Sequence, residues 1–322
     1  MSRVYLRGGG LVKVLITGGA GFIGHNLALH LIRRGYDVVV VDSMERSNDY
    51  ALRRLKKFGV PVVEGDVRRF SSYSNFDVVV HAAAYVSVEE SVREPIKYLE
   101  NNVLGTAKVG YECGKKGIKL VYLSSAAVYG EPQKLPIGED HPTRPKSPYG
   151  LSKLQGEEIL RNFATVYSLK YVTLRLFNVY GPGQNSSYAG VITSFIQRAL
   201  NSEPLIIYGD GEQTRDFVYV GDVAEVIEFL IKEEVFDNET YNVGSGQPTT
   251  IKELAKTVMK LVNKDLPLIH EPPRPGDIRH SVADISKIMK LARIKPTPIE
   301  EGLEKTLSEL RTDCSCLTSS LP

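Results

Sequence analysis

A tyrosine and a lysine one helical turn apart are the residues in this chain with the clearest means of moving a proton. Ser147-Pro148-Tyr149 reads as a helix start, with Ser147 as the cap and Pro148 in the first helical position, so Tyr149 and Lys153 share one face. A phenol has a pKa of roughly 10, and an ammonium beside it, joined by any positively charged ring, pushes it toward use as a base at neutral pH. With Ser125 the two form a hydroxyl, phenol and ammonium constellation. Tyrosine and lysine also stand four apart on ordinary exposed helices, so the spacing gains meaning only from its surroundings.

The surroundings are those of a nucleotide. An apolar strand runs into Thr17-Gly18-Gly19-Ala20-Gly21-Phe22-Ile23-Gly24, followed at once by a helix with Ile23, Leu27 and Leu31 on its apolar side. Glycines at 19, 21 and 24 permit a tight turn, approach of backbone to a pyrophosphate and close packing of helix on strand, with the helix N-terminus stabilising the anion. The next strand, Val38-Val39-Val40-Val41, closes on Asp42, whose carboxylate can accept from the adenosine ribose hydroxyls and repel a 2′-phosphate, favouring NAD over NADP. Arg46 lies near enough to bear on that choice, or is a solvated loop charge. Asp66 ends the third strand and either meets the adenine amino group or caps a turn. His81-Ala82-Ala83-Ala84 ends the fourth with small residues against which a cofactor can lie, His81 itself reading as a core residue.

The elements that must position these groups alternate along the chain. Residues 11–16, 37–41, 60–63, 76–80, 118–123 and 171–176 read as strands, separated by helical patterns. Strands apolar at consecutive positions belong in a sheet covered on both faces, and helices supply the right-handed crossovers that parallel pairing needs. The expectation is an α/β protein with a Rossmann-like doubly wound parallel sheet and a smaller, mainly C-terminal α/β substrate-binding subdomain. After Leu176 the alternation fails in loops rich in Gly, Asn and Pro, while 222–232 and 240–243 read as a helix and strand returning to the main sheet. The dinucleotide domain therefore comprises 11–177 plus about 222–243, the substrate subdomain about 178–221 plus 244–311, and 1–10 and 312–322 are flexible ends.

At 322 residues, with 42% hydrophobic and 24% charged side chains, the chain has the balance of a globular protein and can bury a sizeable core. A net charge of +2 gives no reason to expect nucleic acid or a lipid surface as partner. No apolar run approaches the roughly 20 residues of a membrane span, and the leader before the first strand has no apolar segment of the secretory kind, so a cytoplasmic enzyme is expected. Cys113 sits in a helical pattern, while Cys314 and Cys316 lack the further ligands of a metal site; the histidines show no ligand spacing, and no metal is expected.

These motifs, with Asn101-Asn102-Val103-Leu104-Gly105-Thr106, Arg175-Leu176-Phe177-Asn178-Val179-Tyr180-Gly181-Pro182-Gly183, the run from Gly209 to Val220 and Arg274-Pro275-Gly276-Asp277, resemble the extended short-chain dehydrogenase/reductases, especially their nucleotide-sugar 4-epimerases. The resemblance spans residues 11 to about 311. It implies Tyr149 and Lys153 as the catalytic pair, Ser125 as the catalytic hydroxyl and Ser124 as its structural neighbour. The NAD site it implies takes in Gly18, Gly21, Phe22, Ile23, Gly24, Asp42, Asp66, Val67, Ala82, Ala83 and Asn102 beside Tyr149 and Lys153. On the sugar nucleotide it places Asn178, Arg215, Arg274, Asp277 and Ser281 with Ser125; arginine suits a diphosphate through its planar, multiply donating guanidinium.

The activity implied is interconversion of UDP-glucose and UDP-galactose, with N-acetyl forms admitted if Ser281 is the family's size gate, where restricted enzymes carry a tyrosine. UDP-glucuronate remains an alternative substrate. Related 4,6-dehydratases use an Asp-Glu pair after the catalytic hydroxyl, and related decarboxylases a glutamate; here Ala126-Ala127 cannot transfer protons. A non-enzymatic NAD-binding sensor would lack the tyrosine. The resemblance also implies a homodimer, joined through the segments 96–113 and 149–167.

Overall fold

The computed structural model describes residues 11–184, 190–273 and 278–318, with side chains through residue 311. Its first half alternates strand and helix: β1 (Lys13–Thr17), α1 (Phe22–Arg33), β2 (Asp37–Asp42), α2 (Asp49–Lys57), β3 (Val62–Glu64) and β4 (Val78–His81). Then come α3 (Val88–Arg93), α4 (Pro95–Tyr98), a π-helical turn (Leu99–Val103), α5 (Leu104–Lys116), β5 (Lys119–Ser125), α6 (Pro148–Tyr167) and β6 (Tyr171–Leu176).

Seven strands pair in the order β10-β6-β5-β4-β1-β2-β3, where β10 is Thr240–Val243, and every pairing is parallel. Val14, Leu15 and Ile16 on β1 are wholly buried, as are Val78, Val79 and Val80 within 2%. Each such side chain stabilises the fold by about 1.5–3 kcal/mol. The consecutive apolar run is the signature of a sheet covered on both sides. β1 and β4 lie side by side although β2 follows β1 in the chain, so the strand order reverses between them and their carboxyl ends open a crevice.

The smaller region is built from β7 (Asn178–Tyr180), α7 (Val191–Leu200), β8 (Leu205–Tyr208), β9 (Thr214–Tyr219), β11 (Pro248–Thr250), α9 (Ile251–Val262), β12 (Leu268–Glu271) and α11 (Ile299–Thr318). It holds a three-stranded sheet, β11-β9-β7, and a two-stranded one, β12-β8. Phe195, Ile207, Leu254, Val258 and Leu303 form its own core. Helix α8 (Val220–Lys232) returns to the main sheet and packs on α1.

Two boundaries differ from the sequence reading. Helix α10 (Ser286–Ala292), expected in the substrate region, buries Ile288 in the core of the main sheet and packs on β10 and α8, because its apolar side covers that edge. The C-terminal segment, read as a flexible end from residue 312, continues as helix through Thr318; the stretch from Ile299 to Thr318 has no proline and its one glycine lies near the start, so no helix breaker interrupts it. The leader, residues 1–10, lies outside the described residues.

Candidate active site

The crevice at the ends of β1 and β4 holds a cavity of about 390 Å³, within the size range of small-molecule and cofactor sites. Its floor is the turn after β1. Gly18 has φ of 66°, and a Cβ there would stand 2.6 Å from the Ala83 backbone, so this turn admits no side chain. Gly21 is the N-cap of α1, no side chain caps it, and the first N–H groups of the helix meet the cavity with Gly21, Phe22, Ile23 and Gly24 in its wall. A bare helix N-terminus over a glycine floor fits a pyrophosphate.

Asp42 stands at the end of β2, its carboxylate accepting from the Ala20 and Met44 N–H groups at 3.0 and 2.9 Å. Burial pushes its pKa up and the two N–H groups oppose the rise. Asp66, with Val67 beside it in the wall, is held below its ordinary value by Arg68, which donates to both its oxygens. It also closes a turn through the Arg68 N–H, the second of its two expected roles. Arg46 reaches the wall, yet its guanidinium grips Glu90 at 2.7 and 2.5 Å and lies 3.8 Å from the Tyr85 ring centre.

Ala82 and Ala83 follow β4 in the wall. His81 is a core residue, wedged between the hydroxyls of Thr17 and Thr106 at 2.7 and 3.1 Å, and burial pulls its pKa down to about 3. Asn102 lies behind the wall. Its side chain accepts from the Tyr85 N–H and donates to the Tyr85 carbonyl and the Ser152 hydroxyl, so it shapes the loop after β4 from within the π-helical turn and does not line this cavity.

The proton-moving groups converge on the same cavity. Ser147 caps α6 by accepting from the Gly150 N–H at 3.1 Å, and Pro148 takes the first turn, as the sequence predicts. Gly156 lets α6 press against β5, where a Cβ would collide with the Tyr122 hydroxyl. Ser125 ends β5, its oxygen accepting from the Ala127 N–H at 3.2 Å, and it lines the cavity with Tyr149. Lys153 is buried, donates to the Leu123 carbonyl at 2.8 Å, and is lowered by desolvation to about 8. The expected depression of the phenol by Lys153 is absent: burial pushes Tyr149 above its ordinary value, and the Ser125 hydroxyl only offsets part of that.

Of the expected sugar-nucleotide residues Ser125 lines this cavity, while Asn178, Arg215 and Ser281 gather around β9 and stand off its wall. Asn178 donates to the Asp216 carbonyl at 2.9 Å, and its neighbours Phe177 and Val179 do reach the wall. Arg215 lies on β9, and the N–H of buried Ser281 donates to the Thr214 carbonyl at 3.2 Å. Arg274 and Asp277 lie outside the described residues. Sequence reasoning missed Tyr85, Phe177 and Gln184 in the wall; the signal available was their position in loops just past the carboxyl ends of strands.

Comparison with known proteins gives this geometry its context. The chain is 36% identical over 304 residues to a putative UDP-glucose 4-epimerase of Methanocaldococcus jannaschii, covering 93% of this chain and 99% of the relative. Among solved structures it superposes with a TM-score of 0.88 on a UDP-glucose 4-epimerase of Thermotoga maritima determined with UDP-glucose, at 36% identity, covering 94% of this chain and all of the other. A UDP-N-acetylglucosamine 4-epimerase of Methanobrevibacter ruminantium, in complex with UDP-N-acetylmuramic acid, gives the same TM-score and identity over 94% and 99% of the two chains. Residues 14–244 match the NAD dependent epimerase/dehydratase family as a whole, and on that span and those full-length likenesses this chain belongs to it.

Proposed function

We propose that the protein is an NAD-dependent UDP-sugar 4-epimerase that interconverts UDP-glucose and UDP-galactose. The observation that carries the reading is the meeting of Ser125, Tyr149 and Lys153 at one wall of a cavity floored by the Gly18 turn and closed at its far end by Asp42. Gly18, Gly21 and the first turn of α1 would hold the cofactor pyrophosphate, Asp42 its adenosine ribose, and Ala82 and Ala83 would let it lie against backbone.

NAD held by these residues would supply reversible acceptance of a hydride at sugar carbon 4, so that a change of configuration there needs no net oxidation. Tyr149 takes the proton of the 4-hydroxyl as the carbon–oxygen bond becomes a carbonyl, and gives it back after the 4-ketose has turned over. Ser125 donates to the same oxygen. Lys153, buried one helical turn from the phenol, would act together with the positive charge of a bound nicotinamide ring to favour the ionised form that burial alone disfavours. Ala126 and Ala127 offer no acid or base for eliminating water or assisting loss of carbon dioxide.

Ser281 supports extension of the substrate range to UDP-N-acetylglucosamine and UDP-N-acetylgalactosamine, since a small side chain beside Thr214 leaves room near the sugar region. Val92, Ile96, Leu104, Leu151 and Val166 on α3 to α6 are apolar and exposed, which supports association of two copies through these helices. The test of the reading is incubation with a panel of UDP- and dTDP-sugars followed by chromatographic separation. Appearance of the 4-epimer without added oxidant is expected; a dehydrated or decarboxylated product, or unchanged sugar throughout the panel, overturns it.

A further inference from the structure

Behind the reacting tyrosine lies a buried charged cluster that the mechanism above does not use. Glu157, one turn beyond Lys153 on α6, is 2% exposed and Arg175 on β6 is 5% exposed. The Glu157 carboxylate accepts from the Ser124 hydroxyl at 2.5 Å and from Arg175 Nε and Nη2 at 3.1 and 2.7 Å. Arg175 is fixed in turn by donating to the Glu139 carbonyl at 3.2 Å and by lying 4.8 Å from the centre of the Tyr129 ring. Ser124 and Ser125 are adjacent on β5, so neighbouring hydroxyls serve the buried carboxylate and the reacting phenol.

Lys153 is buried one turn before Glu157 on α6, and Tyr149 stands one turn before it. From β4 it feels neutral His81; from β5 it meets the Tyr122 ring, 5.2 Å from Nζ, and the Leu123 carbonyl; along α6 it feels the Glu157 carboxylate. Burial drives its ammonium toward the neutral form, and the Glu157 carboxylate opposes this. Remove that carboxylate and two buried cations, Lys153 and Arg175, would remain without the anion that pairs with Arg175 and stands one turn along α6 from Lys153. Resting on the 4-epimerase reading, we propose that Glu157 is a positioning residue that keeps Lys153 cationic, with Ser124 and Arg175 fixing its carboxylate, so that Glu157 sets the alkaline limit of turnover.

The experiment follows the titration of Lys153 directly, as the 13Cε signal of lysine-labelled protein assigned by its loss in Lys153→Met, and in parallel the pH profile of epimerisation. In Glu157→Gln the midpoint is expected to fall by about one pH unit, cutting turnover about fivefold near about pH 8 and less than twofold near about pH 6. In Arg175→Met, which leaves the carboxylate uncompensated, the midpoint is expected to rise. A Glu157 that only braces the fold would lower stability and leave both titrations where they are, which would overturn the proposal. Should Glu157→Gln fail to fold, Arg175→Met decides alone: a rise supports the proposal, and no movement or a fall overturns it. If wild-type protein epimerises no sugar, the functional reading fails while the lysine titration still judges the role of Glu157.

Discussion

The two sides of the site are built on opposite principles. On the cofactor side each wall residue follows from its strand: Gly18 comes after β1, Asp42 ends β2, Ala82 comes after β4 and Ser125 ends β5. The parallel sheet delivers them to one crevice, and the main-chain ladder does the positioning. On the side proposed for the sugar, Asn178, Arg215 and Ser281 come from segments that meet only at β9, and the buried carboxylate of Asp216 on that strand ties the loops of residues 245–246 and 283 to it. Asp216 accepts from the Ser245 N–H and hydroxyl at 2.6 and 2.8 Å, from the Gly246 N–H at 2.9 Å and from the Ala283 N–H at 3.0 Å. A site placed by topology tolerates loss of a side chain, whereas one gathered by a single side chain depends on it.

The largest effect separates chemistry from placement. Tyr149→Phe removes one hydroxyl and leaves the ring, so NAD occupancy and fold are expected to persist while turnover drops about a hundred- to ten-thousandfold. Rate and cofactor content measured on one preparation check this; near-normal epimerisation with full occupancy removes Tyr149 from the mechanism.

Asp216→Ala tests the contrast itself. It strands buried donors that cost about 1–3 kcal/mol each when unsatisfied, so the loops carrying Ser245, Gly246 and Ala283 should separate from β9. The expected outcome is a drop in kcat/KM of about a hundredfold, mostly in KM, with NAD content unchanged. Equal loss of cofactor and substrate binding would show that the two sides are not independent.

A smaller effect concerns selectivity within the sugar side. Ser281→Tyr inserts a bulky ring where the loop is already buried, and should lower kcat/KM for N-acetylated UDP-sugars about tenfold more than for UDP-galactose. Equal losses on both substrates would make Ser281 an ordinary loop residue.

The same contrast explains what was legible in the sequence. The glycine turn, Asp42 and the capped helix carrying Tyr149 and Lys153 are local patterns, each decided by residues within one or two turns of one another. The strand order follows from consecutive apolar runs joined by helices. What the sequence concealed depends on contacts across the fold. Asn102 reads as a cofactor contact until the π-helical turn carries it behind the wall, and α10 follows the substrate segments in the chain yet packs on the main sheet. Asp216 carries no local signal of its role: its bonds to Ser245, Gly246 and Ala283 span distances along the chain that no local pattern encodes.

The smallest effect asks whether acid attacks the two sides unequally. His25 and His81 both serve the cofactor side, and burial lowers them to about 4 and about 3. Unfolded, each would take its proton near the ordinary value of about 6.5. Below that pH the unfolded chain therefore binds more protons than the folded one, and stability that is complete above about 6.5 is lost as pH falls toward the folded values. Each buried histidine contributes a slope of about 1.4 kcal/mol per pH unit within that window. Denaturant midpoints between about pH 6.5 and 4 should fall steeply in wild-type protein and less steeply in His81→Gln, whose amide can still bond Thr17 and Thr106. Equal slopes in the two proteins would mean that the buried His81 imidazole takes no part in the acid sensitivity of the fold.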